Sequence, residues 1–140
     1  MKRRDFLAAG FASGAALALV PAALRAAPLD YVPGLARERL AKGETVFLDF
    51  KASWCGTCKA QERVLKKLKA ANPDYERNIT FINVDWDEYG RSDLAFDLEI
   101  PRRSTLIALK GDKELGRIVA DTSEASIKAL MDTALAAAVA

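Results

Sequence analysis

The run TVFLDF, Thr45–Phe50, constrains the fold of this chain more than any other stretch. Its apolar side chains fall on consecutive positions rather than alternate ones, and Asp49 is its single charged residue. A strand that reads this way is covered on both faces. Covering both faces of a sheet takes helices on both sides, and crossover connections between parallel strands supply them. The flanking sequence fits that demand. From Lys59 to Ala71, apolar Ala60, Val64, Leu68 and Ala71 recur at helical spacing among Lys, Glu and Arg, and Asn72–Pro73 ends the helix. Ile79–Val84 reads as a second strand, parallel to the first through a right-handed crossover. Ser104–Leu109 is a third strand, and a turn at Gly111–Asp112 returns Glu114–Ala120 as a fourth, antiparallel one.

A short helix at Leu35–Ala41 follows a proline-punctuated lead-in over residues 27–34, and residues 85–99 suit a short helix and loop. Thr122 or Ser123 caps a last helix whose buried stripe is Ile127, Leu130, Met131, Ala134 and Leu135. The expected architecture is therefore α/β: a central mixed four-stranded sheet with helices on both faces, built as one domain over residues 27–140.

Residues 1–26 read as an address rather than as fold. A basic start, a weakly apolar stretch from Phe6 to Val20, then Pro21 and small residues make a signal-peptide layout, with cleavage expected after Ala26. The run KRRDFLA resembles the twin-arginine export motif. A short membrane anchor is the competing reading, but the apolar stretch is shorter than the roughly 20 residues a spanning helix needs. Export places the expected home in a periplasm, where a cysteine pair is oxidised unless something keeps it reduced. This segment also distorts the overall charge. It holds four of the 21 lysines and arginines but one of the 19 acids, so the remainder is close to neutral. A near-neutral domain carries no electrostatic footprint for nucleic acid, and none is expected as a partner.

Directly after the first strand comes ASWCGTCK, holding the only two cysteines, Cys55 and Cys58. The chain has no histidine, which excludes Cys–His catalysis, a Ser-His-Asp triad, a Cys/His zinc site within one chain and C-x-x-C-H haem attachment. Three readings of the pair remain. A structural disulfide would close a loop too short to remove much chain entropy. A metal site would need ligands from a second chain, or a Cu(I) ion held linearly by two sulfurs. Redox exchange suits the position best. A cysteine at a helix N-terminus has its thiolate favoured by unpaired N–H groups and the macrodipole, and a second cysteine one turn later can resolve a mixed disulfide.

VFLDFKASWCGTCK resembles the active-site strand and turn of the thioredoxin superfamily, and the order of elements resembles that fold over nearly all of residues 27–140. The resemblance implies a thioredoxin-like fold and a thiol–disulfide oxidoreductase that needs no cofactor or metal. By that resemblance Cys55 matches the nucleophile, Cys58 the resolving cysteine, Trp54 the shielding tryptophan and Asp49 the buried acid that exchanges protons with the resolving thiol. A carboxylate between Leu48 and Phe50 is desolvated on its own account, which raises its pKa towards that of a useful general base. Gly56, Thr57, Arg103, Ser104 and Thr105 complete the expected substrate-facing set. The implied partners are protein disulfides and a membrane thiol reductant, and a monomer is expected. A disulfide-forming oxidase and a Cu(I) or other metal-binding module are the alternatives.

The chain departs from the family's pattern at several positions. Thr57 stands where the best-known form of the motif has proline, a change that leaves a helix N-terminus intact. The family carries a cis-proline before its third strand, followed by threonine. Here EIPRRSTLIAL puts Thr105 in the threonine position and Ser104 in the proline position. A cis bond before a non-proline costs about 3 kcal/mol, so a trans Arg103–Ser104 peptide is expected. Arg102 and Arg103 are expected beside the pair, where one or both could stabilise a Cys55 thiolate or steer acidic partners; two solvated loop arginines are the competing reading. Lys51 replaces a second tryptophan. Phe81 replaces a lysine near the buried acid, which leaves Asp49 expected to lack a nearby cation.

Overall fold

The computed structural model describes residues 27–140. The export-signal reading falls on residues 1–26, outside the described residues. Among the described residues, no helix is long and apolar enough to cross a membrane.

The strands are β1 (Leu29–Asp30), β2 (Thr45–Lys51), β3 (Ile79–Asp85), β4 (Thr105–Lys110) and β5 (Lys113–Val119). They form one sheet in the order β1-β3-β2-β4-β5. The first three run parallel, and β4 and β5 are each antiparallel to their inner neighbour. The helices are α1 (Leu35–Ala41), α2 (Gly56–Ala71), α3 (Asp74–Asn78), α4 (Trp86–Tyr89), α5 (Asp93–Asp97) and α6 (Glu124–Val139).

The expected mixed sheet with helices on both faces is present, but it has five strands rather than four. The additional strand, β1, pairs Leu29 with Ile82 and Asp30 with Asn83. Two residues between Pro28 and Pro33 are too few to show a period, so the lead-in hid it.

Side-chain alternation along β2 divides the core. Phe47 joins Leu65, Leu68, Phe81, Ile127 and Met131 under α2 and α6. Val46, Leu48 and Phe50 join Ile82, Val84 and Ile107 on the opposite face. Asp49 is two residues from Phe47, so it projects to the α2 side. Strand periodicity alone thus sets a carboxylate beneath the helix that carries the cysteines.

Helix α2 is rotated from the expected stripe. Cys58, Gln61, Leu65 and Leu68 are its buried residues, whereas Ala60 and Val64 are half-buried and Ala71 is exposed. The helix also starts three residues earlier than the apolar pattern suggests, because Cys55 is its N-cap. Ser123, not Thr122, caps α6 by accepting from the Ser126 N–H.

Candidate active site

Cys55 and Cys58 form a disulfide with Cα atoms 5.2 Å apart. Cys55 has extended backbone as the N-cap of α2, and its Sγ accepts from the Cys58 N–H at 3.1 Å. That bond uses one of the donors a helix start leaves unpaired, and the helix dipole points its positive end at the same sulfur. Both cysteines are buried beside Ala52, with Trp86 against them. Gly56 and Thr57 form the first turn, where Gly56 is exposed and a Cβ added there would meet nothing within 4 Å beyond its own helix.

Ser104 meets the pair from the other side. Its Oγ lies 3.2 Å from Cys55 Sγ and 3.1 Å from Cys58 Sγ. The Arg103–Ser104 peptide is trans, since no cis peptide occurs among the described residues. Ser104 has φ +64°, the left-handed region that disfavours side chains. Three hydrogen bonds fix it there. Its N–H donates to Phe50 O at 2.7 Å, and its carbonyl accepts from the Ala120 N–H at 2.8 Å and from Gln61 Nε2 at 3.0 Å. Thr105, fully buried, donates its hydroxyl to Arg102 O and closes the loop beneath.

Neither Arg102 nor Arg103 hydrogen-bonds a sulfur. The Arg103 guanidinium stacks over the Trp54 ring, 4.6 Å from its centroid. Arg102 Nε donates to Arg103 O. The hydrogen-bond partners of the sulfurs, among the described residues, are the Ser104 hydroxyl and the Cys58 N–H. Trp54 is more than half exposed, and its indole N–H is shared between the two carboxylate oxygens of Asp87, each at 3.0 Å. A cation on one face of the ring and an anion at its edge hold this large exposed side chain in one orientation.

Asp49 is 5% exposed, and its Oδ1 has no protein partner. Burial pushes its pKa up to about 7; Lys51 pulls it down, Glu62 pushes it up and Lys69 pulls it down. The expectation that Phe81 would leave this acid without a cation is corrected. Lys69 reaches in from α2, its ammonium 3.9 Å from the Phe81 ring centroid, and Lys51 pairs with Glu62 at 3.3 Å. Desolvation outweighs both cations. Burial also lowers the Lys69 pKa. Burial pushes the Glu62 carboxyl up, but its contacts with Lys66 and Lys51 outweigh that and hold it below the usual range. These groups line a cleft of about 270 Å³ that Asp49 shares with Lys51, Glu62, Lys69 and Asn83.

Cys55, Cys58, Trp54, Arg103 and Ser104 are thus gathered around the start of α2, and Asp49 lies under the same helix in the cleft with Glu62, Leu65 and Lys69. Sequence reasoning missed Gln61, Asp87 and Trp86. A polar residue at the helical spacing of Cys58 and Leu65 could have flagged Gln61; nothing in the sequence links Asp87 to Trp54 across 33 positions. No cluster of three or more His, Cys, Asp or Glu side chains able to hold a metal forms among the described residues.

A disulfide at a helix N-cap, following a parallel strand that carries a buried acid, defines a protein of the disulfide oxidoreductase class. The family model for thioredoxin matches residues 36–133, and the chain belongs to the thioredoxin family. The thioredoxin of Echinococcus granulosus is 34% identical over 106 residues, covering 75% of this chain and 92% of its own. Thioredoxin H2-1 of Oryza sativa is 38% identical over 80 residues, and the match spans 56% of this chain and about half, 54%, of the rice protein. Among solved structures, Trxlp from Edwardsiella tarda superposes with a TM-score of 0.63 at 27% identity, covering 74% of this chain and 98% of its own.

Proposed function

We propose that this protein is a periplasmic disulfide reductase acting on protein substrates through a Cys55/Cys58 dithiol–disulfide cycle. The observation that carries the reading is the Cys55–Cys58 disulfide at the N-cap of α2, the helix under which Asp49 is buried with its pKa raised to about 7. Cys55 is the nucleophile, because its sulfur faces the Cys58 N–H and the helix dipole. Cys58 resolves the mixed disulfide. Asp49 takes or returns the proton, as a group titrating near neutrality can do in either direction. Trp54, Gly56, Thr57 and Arg103 form the rim that a client polypeptide meets, with Ser104 and Thr105 shaping the loop beneath. The reducing direction is supported by the compact domain, in which only the short helices α4 and α5 lie between β3 and β4. A membrane thiol carrier would supply the electrons. Export is supported by the basic, twin-arginine-like start, and cleavage after Ala26 leaves all of β1 in place.

Equilibration of residues 27–140 with glutathione tests the direction. A potential near ~−270 mV supports a reductase, and one near ~−120 mV would make the protein an oxidant. Cys58→Ser should trap mixed disulfides with clients in a periplasmic extract, whereas Cys55→Ser traps few. Equal trapping by both variants contradicts the assigned roles. Stoichiometric metal bound with both thiols protected, in protein purified aerobically, overturns the exchange reading.

A further inference from the structure

We propose that the Ser104 hydroxyl is a swivelling hydrogen-bond donor that serves whichever of the two sulfurs carries negative charge. The inference rests on the exchange reading above and deepens it. Ser104 Oγ is almost equidistant from the sulfurs, at 3.2 Å and 3.1 Å. The residue is completely buried, so water does not compete for that hydroxyl. A hydroxyl has one proton and rotates about its Cβ–Oγ bond, so it can donate to one sulfur at a time and change between them. The backbone beneath it cannot follow. The bonds to Phe50, Ala120 and Gln61 hold Ser104 at φ +64°, a conformation that glycine would adopt more readily. A serine kept in a glycine-favouring conformation, with its hydroxyl against two reacting atoms, points to a use for that hydroxyl.

The exchange sequence supplies the use. In the dithiol form the charge rests on Cys55, and the Ser104 O–H donates there. The Cys55 thiolate attacks a client disulfide: the client S–S bond breaks, a Cys55–client bond forms, and one client sulfur leaves as thiolate and takes a proton from solvent. Cys58 then gives its proton to Asp49 and becomes the charged sulfur, and the hydroxyl turns to it. The Cys58 thiolate attacks Cys55 Sγ, and the second client sulfur leaves and is protonated. Two electrons pass from the dithiol to the client disulfide, and Ser104 is unchanged throughout. When a thiolate attacks the oxidised protein at Cys55, the hydroxyl stabilises Cys58 as the leaving group. A donor that favours both thiolates over the neutral disulfide makes both thiols more acidic and the protein more oxidising than its hydroxyl-free form.

Ser104→Ala and Ser104→Gly test this together. Each should shift the equilibrium with glutathione about tenfold towards the disulfide, which is ~30 mV for a two-electron couple. In Cys58→Ser and Cys55→Ser backgrounds, removing the hydroxyl should lower the thiolate fraction at fixed pH about tenfold for each remaining cysteine, read by ultraviolet thiolate absorbance across pH. Glycine relieves the left-handed backbone and alanine does not, so the two variants should differ in thermal stability yet agree in potential. Unchanged potential and titrations in either folded variant would overturn the proposal. A shift confined to one cysteine would also overturn it, since a fixed donor serves only one sulfur. Wild-type protein that forms no reversible disulfide with glutathione would instead overturn the exchange reading itself.

Discussion

Asp49 shows how one residue's position in a strand sets its chemistry. It projects to the α2 side of β2, so the packing that buries Phe47 buries a carboxylate beneath the active-site helix. Its pKa in the folded protein is about 7, against 3.8 for the exposed group. Folding therefore favours the protonated acid. The stability linked to this group is fully present below about pH 4, declines as pH rises, and is lost above about pH 7. A shift of about three units corresponds to a change on the order of 4 kcal/mol. The carboxyls of Glu114, Asp121 and Asp132 are held below their usual range by hydrogen bonds and contribute in the opposite sense, at lower pH. The comparison with Asp49→Asn isolates the one group. Wild type should lose stability relative to Asp49→Asn by about that amount between about pH 4 and pH 8, measured by urea unfolding of the oxidised proteins. The same variant should resolve mixed disulfides more slowly. A stability difference independent of pH would mean that Asp49 is not desolvated.

At the scale of elements, α2 carries the site and Gln61 fixes two loops to it. Gln61 is completely buried, and its amide donates to Ser104 O at 3.0 Å and to Asp121 O at 3.1 Å. Its Oε1 has no partner, which offsets part of what the two donated bonds contribute. Gln61→Leu should therefore cost about 1–3 kcal/mol rather than the sum of two strong bonds. The effect should be local first. Hydrogen exchange at the Ala120 amide, which donates to the same Ser104 carbonyl, should accelerate before that of β2. Equal protection at Ala120 in both proteins would show that the loop does not depend on Gln61. The sequence disclosed α2 itself and both cysteines, but not the helix's buried face. Apolar periodicity picks out Ala60 and Val64, because it has no means of scoring a glutamine that is buried to satisfy carbonyls, or cysteines that pack as apolar groups. The stacking of Arg103 on Trp54 escaped for a related reason: Trp54 is adjacent to Cys55 in sequence but reaches the arginine only through the packing of β4 against β2.

Over the whole molecule, the four longer strands were legible because each is six or seven residues long, enough for a strand pattern or a hairpin turn to show, and β1 was not because pairing across 53 positions defines it. Its contribution exceeds its length. Tyr31, immediately after it, donates its N–H to Asn83 O at 2.8 Å, is 8% exposed, and packs edge-on against Tyr89 with ring centroids 5.0 Å apart. A chain beginning at residue 27 retains all of this, whereas one beginning at residue 34 loses β1 and Tyr31 together. Losing one large buried aromatic alone costs about 3–5 kcal/mol. It also leaves the Ile82–Asn83 edge of β3 unpaired, a template for association with another chain. The shorter chain should unfold at lower denaturant by an amount of that order, and it should self-associate as concentration rises. The disulfide lies after the C-terminal end of β2, where Ser104 and α2 enclose it, so the glutathione equilibrium of the shorter chain should stay within about twofold of the longer one. Equal stability of the two chains would show that the five-stranded sheet does not depend on its outermost strand. A changed equilibrium would show that the first strand and the cysteine pair are coupled through β3.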